Sequence, residues 1–279
     1  MKPAAFDFVR AGSVAEATRF LVEADGTAKV VAGAQSLGPM LNLRLVQPRV
    51  LVDITGIPAL TRVEEDDEAV TLGACITTGN IEDGRMPNRG LPMLSAIAMR
   101  TAYRAVRNRG TIGGSVCHAD PAADWVSALC ALGAQCLIAG PAGSRRLRIE
   151  EFIAGAFETA LGPGELLEAI RIPRLAPGGR WGYDKLCRRT GEFAVAIGAV
   201  LHDPARARFR AVMGATGGRP LVIDDARVVR KNGSSPGAAF ALDEAAVLRL
   251  LDQAGVVDPV ARRQHIVVLQ RAFDQVGPP

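Results

Sequence analysis

Two short stretches of small residues carry the clearest chemistry in this sequence. One is Ala32-Gly33-Ala34-Gln35-Ser36, continued by Leu37; the other is Thr111-Ile112-Gly113-Gly114-Ser115, entered through Gly110. Small side chains let a ligand reach the main chain, and glycine accepts positive φ, so successive N–H groups can converge on an anion. The hydroxyls of Ser36, Thr111 and Ser115 add donors. Neither stretch holds a cation. Two such loops, far apart in sequence, suit a clamp that grips one diphosphate from both sides. Each taken alone is better explained as a turn, where glycine is common; the case rests on having two. The familiar nucleotide loops, GxGxxG and GxxxxGK, are missing from the chain.

The second loop runs on through His118, Asp120, Pro121 and Asp124. Asp120-Pro121 reads as a helix N-cap with proline in the first position, which places Asp120 and Asp124 on one face of a helix start. A carboxylate there stabilises the helix end. As an acceptor it also suits ribose hydroxyls or an adenine amine, and it repels phosphate. Capping accounts for Asp120; Asp124 is the stronger ligand candidate. His118 reads as structural or as a ligand-side hydrogen bonder.

The elements that must position these loops are legible in outline. Ser13-Val14-Ala15-Glu16 is a capping box that opens a helix through Phe20 and Leu21. Lys29–Ala32 reads as a strand feeding the first loop, and residues 50–54 as a second buried strand. Strands at 60–63 and 69–75 flank the acidic run 64–68, which reads as a solvated hairpin tip. Residues 91–108 carry a helical pattern, and a helix from Asp120 to about Leu132 follows the second loop. Further strands are expected at 135–139, 145–149 and 166–172, then at 181–187, 193–202 and 207–213. Helices close the chain near 243–253 and 259–276, the last capped by Asp258-Pro259. Pro173 to Gly179 is the best linker. The mixture lacks a βαβ rhythm, so the expected class is α+β.

Composition narrows the function. The chain has 279 residues, 48% hydrophobic and 22% charged, enough for a substantial core. Net charge is +4, but only four residues are Lys and aromatics make up 5%, so the sequence offers little with which to stack bases and no nucleic-acid role is expected. No apolar run reaches the ~18 residues of a membrane span, and the N-terminus has no signal-like segment, so a cytoplasmic chain is expected. The five cysteines, Cys75, Cys117, Cys130, Cys136 and Cys187, include no CxxC. A disulfide framework, a metal site or an iron–sulfur cluster on this chain is therefore not expected.

At the two loops the sequence resembles a known family. Val31–Leu37 is similar to the "AGGQSL" segment, and TIGGSVCHADPAAD at 111–124 to the second flavin motif, of the FAD-binding medium subunit of molybdenum hydroxylases, the carbon monoxide dehydrogenase and xanthine dehydrogenase family. Lys185 to Ala194 resembles the family's "KLxRRxGDFA", and Ala261 to His265 its "YRRH" helix. The resemblance covers essentially the whole chain. It implies a two-lobed FAD-binding domain of the PCMH/vanillyl-alcohol-oxidase type over residues 1–174, with lobes at about 1–55 and 56–174. A smaller C-terminal domain over 175–279, with an antiparallel sheet and a helix bundle, should follow.

It further implies a large partner subunit with a molybdenum cofactor, a small partner with [2Fe–2S] clusters, and a dimer of heterotrimers. Electrons would pass through the clusters to FAD and on to an external acceptor. By matching position, residues 32–36 and 111–115 would hold the pyrophosphate and Asp124 the adenosine end. Lys185 would approach the flavin ring, with Thr77 and Thr78 beside it; a strand end explains the two threonines as well. No residue of this chain is implied as an acid, base or nucleophile.

Ala34 departs from the family, standing where a second glycine is usual. Alanine resists positive φ, so this loop must use negative φ there or accept strain of order 1 kcal/mol. Two other readings stay open on sequence: a self-sufficient flavoprotein of the same fold group, and an interaction subunit that has lost FAD.

Overall fold

A computed structural model describes residues 2–85, 91–225, 228–229 and 242–277. The N-terminal part is a three-stranded parallel sheet of β1 (Asp7–Arg10), β2 (Ala28–Val31) and β3 (Val50–Asp53), in the order β1-β3-β2. The sequence gives no sign of β1, because three of its four residues are exposed and leave no apolar run. Helix α1 (Val14–Glu23) crosses from β1 to β2. Ser13 Oγ accepts the Glu16 N–H at 3.1 Å, but the Glu16 carboxylate reaches back to the Gly12 N–H at 2.7 Å, so the box closes one residue early. β2 feeds the 32–36 loop, which opens α2 (Leu37–Asn42).

A second sheet holds five antiparallel strands in the order β4-β5-β10-β6-β7. These are β4 (Val63–Glu65), β5 (Ala69–Gly73), β6 (Gln135–Gly140), β7 (Gly143–Arg148) and β10 (Leu166–Pro173). The acidic run forms the β4–β5 hairpin tip, where Arg171 donates to Asp66 at 2.6 Å. Leu60 lies in a 3-10 turn, Pro58–Thr61, and not in a strand. Between β5 and β6 run α3 (Thr78–Glu82), α4 (Pro92–Arg100), α5 (Arg104–Arg107), α6 (Ile112–His118) and α7 (Asp124–Leu132). α8 (Ile149–Phe152) and the small hairpin β8 (Ile153–Gly155) and β9 (Glu158–Thr159) precede β10.

Two helices differ from the sequence expectation. The 91–108 helix is broken after Arg100, where Ala102 takes φ 47. The Arg107 guanidinium donates to the Thr101 and Ala102 carbonyls at 3.1 and 2.7 Å and pairs with both oxygens of Glu82 at 2.8 and 2.9 Å. It satisfies carbonyls that a helix end leaves orphaned. The second difference is that α7 starts at Asp124 with Ala123 as its N-cap, not at Asp120. The Asp120 carboxylate accepts the Ala122 N–H at 2.9 Å in a turn before the helix, so Asp120 and Asp124 do not share a helical face.

All nine residues of α7 are buried. The helix lies between β10 and the third sheet, and its all-round apolar surface matches that double coverage. The third sheet is an antiparallel meander of β11 (Arg180–Leu186), β12 (Ala196–Asp203), β13 (Arg208–Gly214) and β14 (Leu221–Ile223). β10 runs through Pro173, so the connection into it is residues 174–179. α9 (Glu244–Gln253) and α10 (Pro259–Val276) complete the described chain. α10 packs so closely on this sheet that a Cβ on Gly182 would stand 1.9 Å from the Ala272 carbonyl oxygen. As expected, Asp258 caps α10 by accepting the Ala261 N–H at 2.7 Å, with Pro259 first in the helix. All five cysteines are free thiols, and Cys75, Cys130 and Cys136 are buried. Among the described residues, no helix is long and apolar enough to cross a membrane.

Candidate functional site

The two glycine-containing loops meet main chain to main chain. A Cβ on Gly33 would stand 2.1 Å from the Arg109 carbonyl oxygen and 2.8 Å from Gly110 Cα. Only glycine allows that approach. The chain before the second loop is sewn to the Ile76–Thr78 segment: the Thr78 N–H donates to Gly110 O at 2.8 Å, and the Ile112 N–H to Ile76 O at 2.9 Å. These bonds make an isolated antiparallel bridge between Thr77 and Thr111. The threonine pair is thus held beside the second loop. Thr77 caps α3 through the Asn80 N–H at 3.2 Å, and buried Thr78 accepts the Trp125 indole N–H at 3.1 Å.

The two loops differ in what they leave free. In the second loop, the Gly113 N–H donates to Ala74 O at 3.0 Å, Gly114 N–H to Thr111 Oγ1 at 3.0 Å, and Ser115 N–H to Thr111 O at 3.0 Å. With Ile112 also engaged, these N–H groups serve the fold. Gly113 is small because a Cβ there would lie 2.5 Å from Ala74 Cβ. In the first loop, among the described residues, the N–H groups of Gly33, Ala34, Gln35 and Ser36 have no acceptor within the chain, and the Ser36 side chain makes no capping bond. The Gln35 amide donates to Gly33 O at 2.9 Å and stiffens the loop. Ala34 takes φ 57, so the loop accepts the left-handed strain rather than avoiding it. The free anion donors therefore concentrate in the first loop, while the second is a fixed wall behind it, with buried Thr111 capping α6.

Asp124 and Lys185 meet in one place. Lys185 Nζ lies 2.9 Å from each Asp124 carboxylate oxygen, and the Tyr183 hydroxyl donates to Asp124 Oδ1 at 2.6 Å. Asp124 and Lys185 are 5% and 9% exposed. Two ions this buried persist only as a hydrogen-bonded pair. Asp124 is also the first residue of α7, where the helix terminus favours a carboxylate. Because the two side chains touch, Asp124 and Lys185 stand at one place in the fold and not at two separated positions. Tyr183 escaped the sequence reading. Its signal is strand alternation, since residues two apart on β11 share a face with Lys185.

The site splits along α6. Thr111 caps its start, while His118 is its last residue and packs against Phe157 with the rings tilted by 52° and centroids 5.2 Å apart. His118 and Asp120 therefore lie at the end of α6 away from the joined loops. Among the described residues, no group of three or more His, Cys, Asp or Glu is arranged to hold a metal.

Known proteins share this architecture. The family described as "FAD binding domain in molybdopterin dehydrogenase" matches residues 4–175. The nicotine 6-hydroxylase medium subunit of Paenarthrobacter nicotinovorans is 34% identical over 249 residues, 88% of this chain and 87% of that protein. The 6-hydroxypseudooxynicotine dehydrogenase complex subunit alpha of the same bacterium is 37% identical over 195 residues, 70% of this chain and 66% of that one. Carbon monoxide dehydrogenase from Hydrogenophaga pseudoflava, in a form lacking the Mo-pyranopterin moiety, superposes with a TM-score of 0.85 at 30% identity, over 99% of this chain and 98% of that one.

Proposed function

The chain belongs to the family of FAD-binding domains of molybdopterin dehydrogenases, and on that premise we propose that it is the flavin-carrying medium subunit of a heteromeric molybdenum hydroxylase. In this reading a large partner carries the molybdenum cofactor and a small partner the [2Fe–2S] clusters. Electrons reach this chain from the clusters and leave to an external acceptor, and the assembly is a dimer of heterotrimers. Residues 1–174 form the FAD-binding domain, with lobes at about 1–55 and 56–174, and residues 175–279 form the C-terminal domain.

The observation that carries the reading is the row of unengaged N–H groups from Gly33 to Ser36, closed from behind by the Arg109–Gly110 main chain. Such a row fits a diphosphate: the donors are neutral and consecutive, and neither loop bears a carboxylate. In the mechanism these N–H groups and the Ser36 hydroxyl would bind the pyrophosphate, and Thr111, which caps α6, would hold the second loop in place behind them. Leu37, Ile112, Gly113, Gly114 and Ser115 shape the cradle. The Asp124–Lys185 pair supplies a fixed, nearly neutral dipole next to the Thr77–Thr78 segment. When bound, FAD supplies a ring that takes up and releases electrons. The chain's own task is to hold that ring in place and bias its charge, for which no general base is needed.

The test is to purify the chain alone and together with its partner chains. Alone it should carry about one FAD, released on denaturation, and oxidise no purine, aldehyde or carbon monoxide. With its partners, the flavin should be reduced when organic substrate is added. Turnover by this chain alone favours a self-sufficient flavoprotein, and flavin-free protein that takes up no FAD favours an interaction subunit; either result refutes the proposal.

A further inference from the structure

We propose that Arg109 is the cation of the diphosphate site, an inference that rests on the flavin-carrying reading above. The chain sets four arginines close together, at 100, 104, 107 and 109. Three are committed to the fold. Arg100 donates to Tyr183 O at 3.0 Å and to Asp184 at 3.1 Å. Arg104 holds Asp83 at 2.6 and 2.7 Å, and Arg107 holds Glu82 at 2.8 and 2.9 Å. These bonds occupy the carboxylates at the end of α3. Arg109 differs: it is exposed, and among the described residues its guanidinium has neither a hydrogen bond nor an ion pair.

Its position separates it from an ordinary solvated arginine. The Arg109 carbonyl oxygen and carbon are what a Cβ on Gly33 would strike, at 2.1 and 2.8 Å, and a Cβ on Gly110 would lie 3.7 Å from Gln35 Cγ. The Arg109 side chain therefore leaves the main chain at the wall of the cradle, beside the unengaged N–H groups of Gly33 to Ser36. A diphosphate is multiply charged. Neutral N–H groups can orient that charge but neutralise none of it. A guanidinium brings a full positive charge and two parallel donors that match phosphate oxygens. A cation with no carboxylate partner gives up no ion pair when it turns to a ligand, so nothing offsets the new contact. At an exposed site such attraction is screened by salt. Affinity for FAD therefore falls with ionic strength, and Arg109 is the residue through which it does so.

The experiment titrates the full-length apoprotein with FAD at about 50 mM and about 500 mM salt, read by quenching of flavin fluorescence. Wild type should bind more weakly at the higher salt. Arg109→Gln should bind about tenfold more weakly at the lower salt and lose most of the salt dependence. Its apoprotein melting temperature should match wild type, because the side chain holds nothing in the fold. Arg109→Lys keeps the charge without the planar fork, so it should keep the salt dependence and recover part of the affinity. Arg249 is exposed on α9 and also without a partner among the described residues. Arg249→Gln removes the same charge far along the chain and should bind FAD as wild type does at both salt concentrations. A wild-type chain that takes up no FAD refutes the flavin-carrying reading. Where wild type binds FAD, three results overturn this inference alone: a wild-type affinity that ignores salt, an Arg109→Gln affinity equal to wild type, or an equal loss in Arg249→Gln. A loss in Arg109→Gln that comes with a lower apoprotein melting temperature marks a structural arginine and overturns it as well.

Discussion

Replacing Gly33 by alanine tests the contact on which the cradle depends. The added Cβ would stand 2.1 Å from the Arg109 carbonyl oxygen and 2.8 Å from both Arg109 C and Gly110 Cα. Carbon and oxygen settle nearer 3.4 Å, so the loops must part by about 1 Å. Both neighbours are main chain, and a rotamer change gives no relief. Overpacking of this kind costs about 1–3 kcal/mol. At about 2–4 °C per kcal/mol for a chain of this size, the apoprotein should melt several degrees lower. Affinity should suffer more. The displaced first loop carries the free donors, and shifting two of them by about 1 Å relative to the others takes them from about 2.9 Å to beyond hydrogen-bonding distance of one diphosphate. Losing two charge-assisted bonds at about 1.5 kcal/mol each weakens FAD binding about a hundredfold. Titration of apoprotein with FAD, followed by quenching of flavin fluorescence, reads this directly. If Gly33→Ala binds FAD within a factor of three of wild type, the two-loop cradle is not the diphosphate site.

Other outcomes follow from the same coordinates. Ala34→Gly relieves a residue at φ 57 and should raise the apoprotein melting temperature by about 2–4 °C, for a gain of about 1 kcal/mol; an unchanged or lower value contradicts the strain argument. Gly113→Val drives a branched side chain at Ala74, 2.5 Å from its Cβ, so FAD should be lost through misfolding, seen as protease sensitivity of the apoprotein; a folded, protease-resistant variant contradicts this. Burial pushes His265 down from 6.5 to about 4, so the unfolded chain takes up that proton first. Its contribution to stability is present above pH 6.5 and is lost as pH falls toward 4, by up to about 3 kcal/mol. His265→Leu should flatten the fall in urea midpoint between pH 7 and 4.5, and an equal fall in both proteins refutes the assignment.

What the sequence by itself determined is local. Caps at Ser13 and Asp258-Pro259, the strand entering the first loop and the small residues of both loops are encoded in neighbouring residues, because capping and φ preference act over a few positions. The resemblance to the flavin motif has the same character: it is a contiguous run. Tertiary structure alone decided which loop keeps free N–H groups, since the second loop's donors are taken by Ala74 and Ile76 from another segment. It decided that the 91–108 helix breaks, because Arg107 finds Glu82 and the Thr101 and Ala102 carbonyls together. It also turned Asp120 and Asp124 from one helical face into a turn and a buried ion pair. Asp124 meets Tyr183 and Lys185 only because β11 is laid against the start of α7. Contacts between residues so distant in sequence follow from how sheets and helices stack, and no short-range pattern records that.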